Sequence, residues 1–313
     1  MLPVVPVEHG VLQIPRFNGK SVVMGPGLRR DDASVMSMTT SSDALKNFTG
    51  SLVLAGAGKM GGAMLSGWLD GGLDAKRVTI IEPHPSDDTR GFLARGVHLN
   101  PDMKSIGAAH VLVLAVKPQM FRDAGPQLRS LAGPSTLVVS IMAGTTIAAL
   151  TEVCGGRVIR AMPNTPAAIG RGITVAVPAS DVTPDQRAVA DALLRATGSV
   201  EWVEDEALMD AVTAVSGSGP AYVFLLAEEL ARAGVAAGLP EALATKLARE
   251  TVAGSGELLH RSDLDSATLR QNVTSPGGTT AAALEVLMGS DGFQPLLTRA
   301  IAAATKRSKE LAK

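Results

Sequence analysis

Two glycine-bearing turns, each leading into a helix-forming stretch, are where this sequence could do chemistry. The first, Gly56-Ala57-Gly58-Lys59-Met60-Gly61, directly follows the apolar run Ser51–Ala55. In a G-x-G-x-x-G turn between strand and helix, Gly56 permits the tight bend and Gly58 lets a pyrophosphate approach the backbone. Gly61 lets helix and strand pack closely. The N–H groups and the positive end of the following helix then hold the phosphates. A mononucleotide P-loop is excluded, because Met60 rather than Ser or Thr follows Lys59 and position 53 is Val53. Glu82 lies 21 residues beyond Gly61, where an acidic side chain accepts bonds from the adenosine ribose hydroxyls of NAD and repels a 2′-phosphate. The second turn, Ser275-Pro276-Gly277-Gly278-Thr279-Thr280, also feeds a helical stretch and is a second place for an anion.

The elements that must position these turns follow from periodicity. Met60, Met64, Leu65, Trp68 and Leu69 share one helical face, and Arg77–Ile81 reads as the next strand, so the first turn sits in a βαβ unit. Val111–Val116 and Thr136–Ile141 are near-continuous apolar runs, as strands covered on both faces require. Gln119–Leu131 and Thr145–Val153 are the intervening helices, and Arg157–Ala161 and Ile173–Val177 are further strands. Thr183-Pro184-Asp185-Gln186 reads as a helix start, with a Thr cap, Pro at the first position and Gln three residues after the cap. From about Asp205 strand signals stop, and five helical stretches follow: Pro220–Ala237, Pro240–His260, Leu264–Asn272, Thr279–Met288 and Phe293–Leu311. The expected fold is α/β: a Rossmann-type doubly wound sheet over residues 48–205, then an all-helical domain over 206–313. Its Ala- and Gly-rich helices suit close packing, either within one bundle or across a dimer interface.

Four more segments go beyond a generic reductase: Ala115–Gln119 (AVKPQ), Arg160–Pro166 (RAMPNTP), Val215–Phe224 (VSGSGPAYVF) and Leu269–Thr280 (LRQNVTSPGGTT). With the glycine turn, in this order, they resemble the pyrroline-5-carboxylate reductase family from about Ser51 to the C-terminus. The resemblance implies NAD(P)H-dependent reduction of 1-pyrroline-5-carboxylate to L-proline. It implies that Ala115, Val116, Lys117 and Pro118 line the nicotinamide end of the cofactor, with Ile141, Met142 and Ala143 at the nicotinamide ribose. Asn164, held between two prolines, would orient a carboxamide or substrate. The substrate carboxylate would rest at the Ser275 turn, on the backbone N–H groups of Gly278 and Thr279, and the Thr280 hydroxyl would contact the ring nitrogen. An alkyl hydroxyl is a poor acid near neutral pH, so Thr280 is expected to donate a hydrogen bond or relay a proton from water.

The chain departs from the family at the loop Glu82-Pro83-His84-Pro85, which lacks the Ser or Arg that binds a 2′-phosphate. NADPH or NADH is therefore the expected cofactor, with Glu82 pointing to NADH. A family cofactor contact falls near Asn100–Met103, where the match is ambiguous between those two residues. The resemblance also implies a homodimer or larger homo-oligomer through the helical domain.

Composition bounds the alternatives. Lys and Arg number 29 against 30 Asp and Glu, with no like-charge block, so no nucleic-acid partner is expected. No apolar stretch is long enough for a membrane span, and Pro3, Pro6 and Glu8 interrupt any signal-like run. The single cysteine, Cys154, suits a reducing, cytoplasmic setting. The five histidines lack metal-ligand spacing, so no metal site is expected. Residues 1–47 mix Pro, Gly, Ser and charge and read as a disordered extension. Two rival functions stay open on residues alone. One is a β-hydroxyacid-dehydrogenase-like reductase, for which Lys246 would be the catalytic lysine; the other is a non-catalytic dinucleotide sensor.

Overall fold

The apolar runs of the N-terminal half become the strands of one eight-stranded sheet. The computed structural model describes residues 41–311. In chain order these hold helix α1 (Ser41–Lys46), strand β1 (Leu52–Ala55), α2 (Lys59–Asp70), β2 (Val78–Ile81), α3 (Asp87–Gly91), β3 (His98–Leu99) and α4 (Met103–Ile106). Then come β4 (Val111–Leu114), α5 (Pro118–Arg129), β5 (Leu137–Ser140), α6 (Ile147–Cys154), β6 (Arg157–Met162), β7 (Gly172–Pro178), α7 (Pro184–Arg195) and β8 (Gly198–Trp202). The rest is helical: α8 (Met209–Val212), a π-helical turn at Thr213–Gly217, α9 (Gly219–Ala236), α10 (Glu241–Arg261), α11 (Ser266–Asn272), α12 (Thr279–Leu287) and α13 (Phe293–Leu311).

The strand order is β3-β2-β1-β4-β5-β6-β7-β8, and the chain's progress across the sheet reverses between β1 and β4. Side-chain alternation loads both faces. Leu52 and Leu54 join Met64, Leu65 and Trp68 of α2 on one face. Val53 and Ala55 join Phe121 and Leu128 of α5 and Leu150 of α6 on the other. The fully buried Trp68 also donates its indole N–H to the Leu193 carbonyl at 2.8 Å, tying α2 to α7. At α7 the Thr183–Gln186 capping box is formed in both directions, as the sequence leads one to expect.

Four elements, β7, β8, β3 and α1, differ from the sequence reading. β7 runs antiparallel to β6. Only a short connection with a 3-10 turn (Thr165–Ile169) separates them, too little chain for the crossover that a parallel neighbour needs. β8, parallel to β7, and the two-residue β3 are edge strands that the apolar-run criterion passed over. In β8 only Val200 is buried; Trp202 instead donates its indole N–H to Asp191 at 2.9 Å beneath the Arg187 guanidinium. Lastly, the extension read over residues 1–47 lies outside the described residues as far as 40. Its last stretch is helix α1, whose Leu45 packs into the core beside α2, so an apolar anchor corrects that boundary.

In the helical half, Gly238 follows the end of α9, and its φ of +99° lets Leu239 N–H turn back to the Gly234 carbonyl at 3.1 Å. That turn folds α10 back against α9, where Gly234 admits Ala244 closely. From α9 to α13, Ala244, Ala248 and Ser308 are the described residues that are buried. Phe224, Leu225, Leu247, Leu258, Val286 and Leu296 are exposed. No described helix is long and apolar enough to cross a membrane.

Candidate active site

The reversal of strand order brings two loops together at the carboxyl ends of β1 and β4, the place where open α/β sheets take ligands. The Gly56 turn leaves β1, and Ala115–Pro118 leaves β4. They touch: a Cβ on Gly56 would lie 2.6 Å from the Ala115 carbonyl oxygen. Gly56 has a φ of +93° and donates its N–H to the Ile81 carbonyl at 2.9 Å. A Cβ on Gly61 would fall 2.2 Å from the Gly56 carbonyl oxygen, so the third glycine is needed for α2 to start where it does. Gly58 is different. A Cβ there meets nothing within 4 Å, and the residue is the exposed first cap of α2 with no side-chain capping bond. Together these glycines open a twelve-residue helix whose first backbone N–H groups, around Gly58, Lys59 and Met60, have no side-chain cap, with open space beside Gly58. The cradle fits a pyrophosphate.

Ala57 has both backbone groups engaged. Its N–H donates to Glu82 Oε2 at 2.9 Å, and its carbonyl accepts the buried Thr89 hydroxyl at 3.1 Å. Glu82 Oε1 accepts the His84 N–H at 3.0 Å. The backbone of Glu82 is held in turn by Asn100, whose Oδ1 accepts the Glu82 N–H at 2.8 Å and whose Nδ2 donates to the Glu82 carbonyl at 2.8 Å. The carboxylate expected at the ribose corner thus sits on the glycine turn itself. Thr89 was not legible as a site residue, since it acts through a partner distant in sequence, and Asn100 was legible only as one of two positions, with Met103, for a cofactor contact.

The remaining expected residues fall at the same edge of the sheet. Lys117 caps α5 without a side-chain bond, with Pro118 at its first position, and both are exposed. Ile141, Met142 and Ala143 follow β5. The Met142 side chain is buried in the core, so it has only backbone to offer a ligand. Asn164 follows β6 and is buried; its Oδ1 accepts the Ile173 N–H at 2.9 Å, which braces the start of β7. Only its Nδ2 side is left for a ligand.

At the second turn, Pro276 and Gly277 (φ +68°) occupy the central positions of a tight turn closed by Gly278 N–H on the Ser275 carbonyl at 3.0 Å. The Gly278 N–H expected to hold a carboxylate is therefore spent inside the turn. The donors left by geometry are the opening N–H groups of α12, at Thr279 and Thr280, where Gly278 caps without a side-chain bond. Within one chain, among the described residues, no hydrogen bond or ion pair joins residues 275–280 to the cradle at β1 and β4.

Sheet topology and cradle are those of a dinucleotide-binding oxidoreductase, followed here by an all-helical C-terminal region. A family profile described as pyrroline-5-carboxylate reductase dimerisation matches residues 206–311, and one described as NADP oxidoreductase, coenzyme F420-dependent, matches residues 51–144. Pyrroline-5-carboxylate reductase of Synechocystis sp. is 44% identical over 244 residues, covering 76% of this chain and 89% of that one. The Mycobacterium tuberculosis enzyme is 39% identical over 290 residues, covering 83% and 96%. The solved pyrroline-5-carboxylate reductase of Coxiella burnetii superposes with a TM-score of 0.78 at 34% identity, covering 85% of this chain and 100% of that one. That of Plasmodium falciparum, solved with NADP bound, gives 0.71 at 29% identity, covering 86% and 100%. The chain belongs to the pyrroline-5-carboxylate reductase family. Its reaction is the NAD(P)H-dependent reduction of 1-pyrroline-5-carboxylate to L-proline, the last step of proline biosynthesis. Membership displaces both rivals, and Lys246 is simply an exposed side chain on α10.

Proposed function

We propose that the protein reduces 1-pyrroline-5-carboxylate with NADH in preference to NADPH, at a site built from the Gly56–Gly61 cradle and the Ser275–Thr280 turn. One observation carries the cofactor choice: Glu82 Oε2 lies 2.9 Å from the Ala57 N–H, at the adenosine end of the cradle. A carboxylate offers about four lone-pair directions, and the bonds from Ala57 and His84 use two, so ribose hydroxyls find acceptors there. A 2′-phosphate at the same place would meet like charge. The NADP named for the Plasmodium falciparum structure and for the profile over residues 51–144 makes the opposite preference the ordinary expectation, so Glu82 has to overcome it.

When bound, the dinucleotide supplies the hydride that reduces the imine carbon. The chain's own residues do the rest. The N–H groups opening α2, around Gly58, Lys59 and Met60, hold the pyrophosphate. Ala115–Pro118 and the backbone of Ile141, Met142 and Ala143 wall the nicotinamide end, and Asn164 Nδ2 donates to the carboxamide or substrate. Thr279 and Thr280 N–H hold the substrate carboxylate, and the Thr280 hydroxyl donates to the ring nitrogen, with water as the proton source. Holding two reactants in register is worth about 7–11 kcal/mol of barrier, so positioning carries most of the catalysis.

The reading also includes a division near residue 205 and a homodimer formed by the helical part. The exposed apolar residues of α9, α10, α12 and α13 and the dimerisation profile over them support it. A reducing, cytoplasmic setting fits the single, buried, free thiol of Cys154. Steady-state assays of 1-pyrroline-5-carboxylate reduction with each cofactor test the proposal. A higher kcat/KM with NADH is expected; a strong NADPH preference would overturn it.

A further inference from the structure

We infer that Asn100 is the positioning residue that fixes Glu82 against the cofactor cradle and so sets the discrimination between NADH and NADPH; this rests on the reading of Glu82 as the ribose acceptor. Asn100 is the sole non-glycine residue with a positive φ, +46°, among the described residues. L-residues rarely hold that conformation, and Asn is one of the few that tolerate it. The conformation has a visible result. The β2–β3 ladder pairs Ile80 with Leu99, and Asn100 N–H extends it to the Ile80 carbonyl at 2.8 Å. The Asn100 amide then takes both backbone groups of Glu82 at 2.8 Å each, acting as one more rung beyond the end of the ladder.

Satisfying buried polar groups does not explain this clip. Both of its bonds are exposed, where water would serve the Glu82 N–H and carbonyl equally well. What water would not do is hold Glu82 in one orientation. With its backbone clamped from β3, the side chain reaches inward to Ala57 and accepts from His84. Strained conformations of this kind collect where a side chain has to be aimed. Asn100 itself need not touch the cofactor, since its Oδ1 and Nδ2 already face Glu82.

The test is titration calorimetry of NADH and NADPH on the full chain without substrate, for the wild type, Glu82→Gln, Asn100→Gly and the double variant. Glycine keeps the positive φ and removes only the amide. Loss of two exposed hydrogen bonds should raise the Kd for NADH about tenfold and that for NADPH much less. Asn100→Asp, which keeps the acceptor but loses the donor, should fall between. In the Glu82→Gln background Asn100→Gly should add nothing, because the clip works only through Glu82. Amide exchange of Ala57 in the cofactor-free protein should quicken in Asn100→Gly. If Glu82→Gln shifts the NADH/NADPH ratio and Asn100→Gly shifts neither that ratio nor the Ala57 exchange, the inference on Asn100 is wrong and Glu82 keeps its role. If Glu82→Gln leaves the ratio unchanged, the ribose reading fails and this inference with it. Equal weakening of both cofactors by Asn100→Gly would reduce Asn100 to a structural residue.

Discussion

Glu206→Ala should be among the most damaging single changes outside the ligand-binding turns. Glu206 stands just after the sheet ends, and its Oε1 accepts from Arg160 Nη1 at 2.9 Å and from the Ile147 N–H at the start of α6 at 2.8 Å. One oxygen thus ties β6, α6 and the start of the helical region. The Arg160 side chain is 5% exposed and Glu206 30%, so truncation strands a cation that water scarcely reaches. Removing one partner of such a pair costs about 3–5 kcal/mol, and the partial exposure of Glu206 favours the lower end. At about 2 °C per kcal/mol for a chain of this size, the melting temperature should drop by about 6–8 °C. Glu206→Gln keeps the acceptor and loses the charge, so it should cost less. Two residues earlier, Glu204 pairs with Arg187 at 3.2 Å, but it is 76% exposed, and Glu204→Ala should cost at most about 1 kcal/mol. Urea unfolding followed by circular dichroism, at one fixed protein concentration, compares the three. Equal losses for Glu206→Ala and Glu204→Ala would refute the argument from burial.

Gly61→Ala, placing a Cβ 2.2 Å from the Gly56 carbonyl, should destabilise the fold by about 1–3 kcal/mol and weaken dinucleotide binding. Gly58→Ala, where a Cβ meets open space, should melt like the wild type yet bind the dinucleotide more weakly; unaltered binding would remove Gly58 from the cradle. Thr280→Ala should lower kcat about tenfold or more while leaving the dinucleotide Kd nearly unchanged, and undiminished turnover would exclude the hydroxyl from the reaction. Burial pushes the Cys154 thiol up from the ordinary 9.0 to about 11, so the native protein should resist iodoacetamide at pH 8 and react once unfolded. The unfolded thiol ionises first, so the stability this group contributes is present below 9.0 and lost as the pH rises through about 11; Cys154→Ala should flatten that decline. Phe224→Asp, on the exposed face of α9, should dissociate the proposed homodimer in light scattering, and an unchanged mass would separate that face from the interface.

What the sequence made legible has a common cause. The strands β1, β4 and β5 lie mid-sheet, so their residues are apolar on both faces and announce themselves locally. The start of α7 carries its own cap, Gly56 is needed for its own φ of +93°, and Gly61 is needed by the Gly56 carbonyl in the same turn. The rest depends on distant partners. β8 is an edge strand with one buried side chain, and nothing near Arg160 signals a carboxylate 46 residues later. Asn164 looked like a ligand-binding amide, yet half of it braces β7. Gly278 looked like an anion donor, yet its N–H closes its own turn. In both cases the sequence points to a residue and not to an atom, because hydrogen-bond assignment is a property of the folded neighbourhood.

The placement of Trp68 and Trp202 has a practical consequence. They are the two tryptophans of the chain, one buried between α2 and α7 and the other on β8 under Arg187. Both belong to the sheet half, whereas the helical half carries the single tyrosine, Tyr222, its hydroxyl on the Ala214 carbonyl at 3.1 Å. Intrinsic emission excited at the red edge therefore reports on one half of the molecule and is blind to the other. Backbone ellipticity sees both. Overlaid on one denaturant axis, the two signals become a direct measure of cooperativity: coincident curves mean that the halves melt as one, and an ellipticity loss that precedes the emission change identifies the helices as the weaker part.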